Sequence, residues 1–119
     1  MAKTFEELQV WQEAMELAKK IYTVTSRQEF ARDFGLRDQL RRASVSVASN
    51  IAEGFERSTR KEFIQFLFIV KGSLGEVRTQ LMLAKHIGYI TELDLRGLDE
   101  QGIVLARKIG RLISALRSH

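Results

Sequence analysis

The stretch RRASVSVASNIAEGFERSTRKEF, Arg41 to Phe63, decides how this chain folds. Within it, SVSV (Ser44–Val47) alternates as a β-strand would, but only for four residues. A longer pattern runs through the same segment. Leu36, Leu40, Ala43, Val47 and Ile51 recur at strides of three and four, which places them on one side of a helix. The helix reading accounts for more of the segment than the strand does. On that helix Ala43, Ser44, Ser46, Ala48 and Ser49 make a small-residue surface that lets a neighbouring backbone come close. Gln39, Arg42, Ser46, Asn50, Glu53 and Arg57 make a polar stripe, with Glu53 and Arg57 one helical turn apart. Gly54 stands where a left-handed residue would end the helix.

Three more stripes of the same period flank this one. They are Leu8, Trp11, Met15, Ala18 and Tyr22; then Phe63, Leu67, Val70, Leu74, Val77, Leu81 and Ala84; then Leu95, Leu98, Gly102, Leu105, Ile109, Leu112 and Leu116. Thr4-x-x-Glu7, Thr59-x-x-Glu62 and Thr91-x-x-Asp94 are start signals, a hydroxyl at the cap and a carboxylate three residues on. Ile90 and Leu95 are placed to staple the last of these, and Asp33 to cap the second helix. Gly88 is a second stop signal, after Lys85 and His86 in the last turn. Short connections near 27–33, 55–58 and 88–91 make sequential helices antiparallel neighbours. The fold class expected is all-α: an up-down antiparallel four-helix bundle, one domain over residues 1–119.

Composition narrows the function classes. With no cysteine among 119 residues, disulfides, zinc–thiolate sites and thiol nucleophiles are excluded, which fits a reducing, cytoplasmic setting. No apolar run approaches the ~20 residues needed to span a bilayer, so no membrane role is expected. The absence of proline agrees with long helices. Residues 1–56 carry 8 Lys/Arg against 9 Asp/Glu, whereas residues 57–119 carry 11 against 6. The net +4 therefore resides in the second half and points to an acidic partner.

The segment FIQFLFIV, Phe63–Val70, is apolar at seven of eight positions and would cover roughly 260° of a helical wheel at ~100° per residue. One core-facing stripe needs little more than ~100°. The surplus calls for a second buried face, with Phe66 and Ile69 as the oligomer-interface candidates. Lys71 falls inside the apolar arc, to snorkel outward or to pair with Glu53. Gly72, Ser73 and Gly75 are expected to receive the bulk of a facing helix.

Catalytic parts are scarce. No Asp or Glu precedes a histidine by three residues, as a di-iron bundle requires, and the two histidines, His86 and His119, lie at a helix end and the chain end. Gly72-Ser73-Leu74-Gly75 lacks the spacing and lysine of a phosphate loop. Glu53 and Glu76 are read as hydrogen-bonding groups rather than an acid–base pair. No enzyme activity, cofactor, metal or small-molecule substrate is expected. Basic residues remain: Arg57, Arg60 and Lys61 before the third helix, and Arg107, Lys108, Arg111 and Arg117 on the last, with Arg37, Arg41 and Arg42 as a further group. Such groups grip phosphate by charge, without reading bases. Too few exposed aromatics can be named to support base stacking.

Three segments, FEELQVWQEAMELAKKIY (Phe5–Tyr22), FGLRDQLRRASVSVASNIAEGFERSTRKEFIQFL (Phe34–Leu67) and GSLGEVRTQLMLAKHIGYI (Gly72–Ile90), resemble the bacterial intervening-sequence proteins, encoded within insertions in large-subunit ribosomal RNA genes. The family's pattern falls on Trp11, Gln39, Arg42, Ala43, Asn50, Glu53, Gly54, Arg57, Gly72, Ser73 and Glu76; Ala48 stands where many members have proline. The resemblance implies a four-helix bundle assembled as a homopentameric ring, of no established activity. A distant relative, the accessory protein of diversity-generating retroelements, binds nucleic acid and a reverse transcriptase. The expectation is a non-enzymatic homo-oligomer, pentameric by resemblance, that holds structured RNA or DNA on Arg57, Arg60, Lys61, Arg107, Lys108 and Arg111. The alternative is an oligomeric adaptor for another protein.

Overall fold

Thr59 and Thr91 start the two longest helices: each hydroxyl accepts the backbone N–H three residues on, from Glu62 and Asp94 (3.1 Å each). At Thr91 the box closes, because Asp94 accepts the Thr91 N–H in return. The structure, a computed structural model, describes residues 2–118; His119 lies outside the described residues. Its helices are α1 (Gln9–Thr25), α2 (Gln28–Arg32), α3 (Phe34–Phe55), α4 (Arg60–His86) and α5 (Glu92–Arg117). Among the described residues there is no strand, and no helix is long and apolar enough to cross a membrane.

Four of these helices are long and lie along one axis. At ~1.5 Å per residue, α4 with its 27 residues is about 40 Å long. In a body of 47 × 20 × 20 Å it fits only lengthwise, as do α3 and α5. The short connections then force reversals. α1 packs on α3 and α5, and α4 on α3 and α5, so α1 and α4 occupy opposite corners. The short α2 was not expected from sequence; it carries Phe30, fully buried, into the end of the core. Asp33 caps α3, as the sequence indicates, by accepting the Leu36 N–H (3.1 Å).

Three of the four sequence stripes line the core. Leu40, Val47 and Ile51 on α3, Leu67, Val70, Leu74, Val77 and Leu81 on α4, and Leu105 and Ile109 on α5 are all but inaccessible. The stripe chosen for the first helix is corrected. Val10, Ala14, Leu17, Ile21 and Val24 face inward, whereas Met15 and Tyr22 are 47% and 44% exposed. α1 carries two apolar stripes side by side, and only contact with α3 and α5 selects between them. The start at Thr4 also differs: a short 3-10 turn, Phe5–Glu7, comes first, Leu8 is extended, and Thr4 makes no side-chain bond to the backbone.

Gly54 is corrected as well. α3 continues through it to Phe55, and only Gly88 among the described glycines has positive φ (88°). Gly54 is a close-approach position: a Cβ there would stand 2.6 Å from Phe66 Cβ and 3.0 Å from Phe63 Cδ1. Gly72 and Gly75 have the opposite placement from that expected. They are exposed, with nothing within 4 Å of a Cβ at either, because they lie on the side of α4 away from the core. Gly102 does receive bulk, the Arg78 Cγ at 3.4 Å, on the way to a 2.7 Å ion pair with Asp99.

At the α2 end Tyr89 Oη donates to Asp33 Oδ2 (2.8 Å), and its ring packs on Phe30. The Leu36 N–H and then the Tyr89 hydroxyl hold Asp33 below its ordinary pKa of 3.8, while the same bond holds Tyr89 above 10.0. A lowered carboxyl pKa favours the folded state above the ordinary value, and that contribution is lost as pH falls through the lowered one. Two outcomes follow. Gly54→Ala should cost about 1–3 kcal/mol in denaturant unfolding, because the clash is with a Cβ fixed to the α4 backbone. Tyr89→Phe should move the acid-unfolding midpoint, followed by circular dichroism, to higher pH than that of the unsubstituted chain.

Candidate nucleic-acid interface

The antiparallel path brings the end of α3, the start of α4 and the end of α5 to the same end of the bundle. There Arg57, Arg60 and Lys61 are exposed at the α3–α4 corner. Arg57 is held by Glu53 (3.0 Å), and its guanidinium lies 4.9 Å above the Phe66 ring. The corner is not purely basic, since Glu56 is exposed beside it and Glu62 accepts a bond from the Thr59 hydroxyl (3.0 Å). On α5, Arg107 and Arg111 are one turn apart on the outer surface and make no ion pair among the described residues. Arg117 lies over the Phe68 ring at 5.2 Å, tying α5 to α4 at this end.

Lys108 is different. Its ammonium donates to Glu13 Oε2 on α1 (2.6 Å), with both side chains 30% exposed. It bridges α1 and α5 and turns away from Arg107 and Arg111. The sequence places Lys108 between two exposed arginines; only the 100° step to α1 separates its role from theirs.

The polar stripe of α3 forms a second arrangement. Asn50 Nδ2 donates to Ser46 O (2.8 Å) and Ser46 Oγ (2.9 Å), and Ser46 Oγ is 3.0 Å from Ser73 Oγ on α4. Either hydroxyl can donate between Ser46 and Ser73. Beside this chain a groove of about 420 Å³ is lined by Gln39, Arg42, Ser46, Glu76 and Gln80. Gln80 Oε1 is buried there without a partner, and Gln80 Nε2 reaches Gln39 Oε1 only at 3.5 Å. Sequence reasoning grouped Gln39, Arg42, Asn50, Ser73 and Glu76 but missed Gln80, whose spacing from Ser73 places it on the same side of α4. Glu53 turns to Arg57, not to Glu76 or Lys71, and Lys71 is exposed.

Aromatic exposure also differs from expectation. Phe34 is 63% exposed, and Tyr22 and Phe68 nearly half. Each carries an arginine on one face: Arg37 on Phe34 (4.7 Å), Arg41 on Tyr22 (4.6 Å) and Arg117 on Phe68. These stacks hold guanidinium groups in place at the surface and occupy one ring face each. Among the described residues no group of three or more His, Asp or Glu side chains is arranged to hold a metal ion.

A family model described as 23S rRNA-intervening sequence protein matches residues 6–111. Among solved structures, a crystal structure of a protein of unknown function from the S23 ribosomal protein family of Bacteroides thetaiotaomicron is similar. Its TM-score is 0.80 at 22% identity, covering 87% of this chain and 97% of that one. At that identity the likeness shows the fold. No curated protein matches the chain.

The Asn50–Ser46–Ser73 chain is open to a direct measurement. Asn50→Ala and Ser73→Ala should each cost about 0.5–1.5 kcal/mol. In a double-mutant cycle followed by urea unfolding they should be non-additive, because both act through one hydroxyl.

Proposed function

The chain belongs to the 23S rRNA-intervening sequence protein family, and on that footing we propose that it is a self-assembling, non-enzymatic protein that grips structured RNA or DNA by phosphate contacts. The observation that carries this reading is the pair Arg107 and Arg111. Both are exposed, one turn apart and without an ion pair among the described residues, near the end of the bundle where Arg57, Arg60 and Lys61 are also exposed. Cations set along a convex helix face suit a phosphate backbone and read no base edges. Lys108 contributes to the bundle rather than to this surface, because Glu13 holds it. A ring of five copies, the assembly the resemblance implies, multiplies the charge of +4 fivefold and strengthens the attraction for a polyanion. Such a protein acts in the cytoplasm, without cofactor or small-molecule substrate.

A second reading, an oligomeric adaptor for another protein, is favoured by a different observation. Ile69 and Leu83 on α4, and Ile87 at its C-terminal cap, are each about half exposed, more apolar surface than phosphate binding uses. Ile69 was named from the sequence as an interface residue and is open for that role. Phe66 is partly covered, lying over Gly54 and under Arg57.

Titration of labelled structured RNA and duplex DNA at 50 and 200 mM salt separates the two readings. Six to ten phosphate contacts should weaken binding by about 10³–10⁵ between those salts. Arg107→Glu with Arg111→Glu should weaken binding and flatten the salt slope, whereas Lys108→Gln should leave the slope unchanged and lower stability. Unchanged binding by the double reversal overturns the assignment of those arginines. No binding by the unsubstituted chain at 50 mM salt overturns the phosphate reading and leaves the adaptor.

A further inference from the structure

The groove between α3 and α4 holds more hydrogen-bonding capacity than the chain itself uses. It is lined by Gln39, Arg42, Ala43 and Ser46 on α3 and by Glu76 and Gln80 on α4, around a volume of about 420 Å³. Polar contacts between the helices brace it at both ends. Gln80 Nε2 reaches Gln39 Oε1 at 3.5 Å at one end, and Ser46 Oγ lies 3.0 Å from Ser73 Oγ at the other. In antiparallel helices these two contacts bring Arg42 and Glu76 nearly level between the braces, beside the buried Ala43. At other helix contacts facing charges pair: Lys108 with Glu13, Arg78 with Asp99, Arg27 with Asp94. Arg42 and Glu76 do not. Both are exposed, and neither makes an ion pair or hydrogen bond among the described residues. One turn along α4 from Glu76, Gln80 Oε1 is buried with no donor.

We infer that this groove is a binding site for a free α-amino acid, its carboxylate held by Arg42 and its ammonium group by Glu76 and Gln80 Oε1. Charge selects that class first. One unpaired guanidinium and one unpaired carboxylate match a ligand that carries both charges, whereas a phosphate or a polyamine would attract one and repel the other. Geometry selects it next. The two side chains stand nearly level, so the ligand's charges must lie close together, as they do about one α-carbon and not at the two ends of a peptide. The orphaned acceptor narrows it further, because Gln80 Oε1 needs an N–H. An ammonium group supplies one, with donors left for Glu76. A buried acceptor without a donor is destabilising in the empty chain, and the ligand relieves it on binding. Arg42 can take the carboxylate through two parallel N–H donors. The Gln39 amide remains for the ligand's own side chain, so polar side chains suit the groove better than large apolar ones. Its volume lies within the ~300–1,000 Å³ usual for small-molecule sites. The ligand is held and released unchanged. This site does not rest on the phosphate contacts proposed above, which use Arg107 and Arg111 on another helix.

The test titrates the isotope-labelled full chain with each of the protein L-α-amino acids, singly, up to about 10 mM. Binding is followed by nuclear magnetic resonance through the side-chain amides of Gln39 and Gln80 and the Arg42 Nε–H. The expected result is saturable, one-site shifts of these signals with at least one amino acid of polar side chain. Its N-acetyl and carboxamide derivatives, each lacking one charge, should give none. Its N-trimethyl derivative, with both charges but no N–H, should also give none. Arg42→Gln and Glu76→Gln replace side chains that bond to nothing in the chain, so both should keep their helical content. Each should weaken binding by about tenfold or more. No saturable shift with any of the amino acids overturns the site. Binding that both variants retain in full overturns the assignment to this groove. An N-acetyl or N-trimethyl derivative that binds as tightly as its parent overturns the ligand class.

Discussion

Gly54 and Ser46 allow α3 to lie against α4 closely enough for Phe66 Cβ and Phe63 to occupy the space a side chain at 54 would need. That approach is the constraint from which the rest of the arrangement follows. It places Ser46 Oγ 3.0 Å from Ser73 Oγ, which only short side chains on both helices permit. It also puts the Phe66 ring where Arg57 can lie across it while remaining paired with Glu53. The Ser-rich run that resembles a strand on paper is the surface that makes this contact possible, and its alternation is incidental to the helical stripe beneath it.

Charge in this protein is divided by packing. Lys108 is drawn to Glu13 across the α1–α5 contact, Arg78 to Asp99 across α4–α5, and Arg27 to Asp94 at the start of α5. The Arg78 bond to Asp99 holds its guanidinium still more firmly protonated, so this link does not titrate in the physiological range. These partly exposed pairs fix helix register more than they add stability. What they leave at the surface is a smaller set of cations than a count along the chain would give, among them Arg107 and Arg111 on α5 and Lys61 at the α3–α4 corner.

The surplus of apolar residues has the same origin on α1 and α4. A helix in a four-helix bundle offers one side to its neighbours, and a little over ~100° of the wheel suffices to bury it. α4 exceeds this with Phe68, Ile69, Met82, Leu83 and Ile87, and α1 with Met15 and Tyr22. Each of these residues is between about a third and a half exposed in a lone copy.

Much of the molecule was legible in the amino acids, because it depends on information within a few residues. Helical periodicity set the helices, Thr59, Thr91 and Asp33 set three of their starts, and Gly88 with its positive φ set a stop. The apolar excess of FIQFLFIV was likewise evident from spacing alone, as was the candidacy of Ile69. What only the tertiary structure decided depends on which side of a helix meets which neighbour. Gly54 looked like a helix end and is a contact; Gly72 and Gly75 looked like contacts and lie bare; Lys108 looked like its arginine neighbours and points to Glu13. On α1 two adjacent stripes were equally good by period, and the choice fell to α3 and α5, whose surfaces cover Leu17 and Ile21 and leave Met15 and Tyr22 outside. Local sequence determines the period of a helix, but rotation about its axis is settled by the partners it packs against.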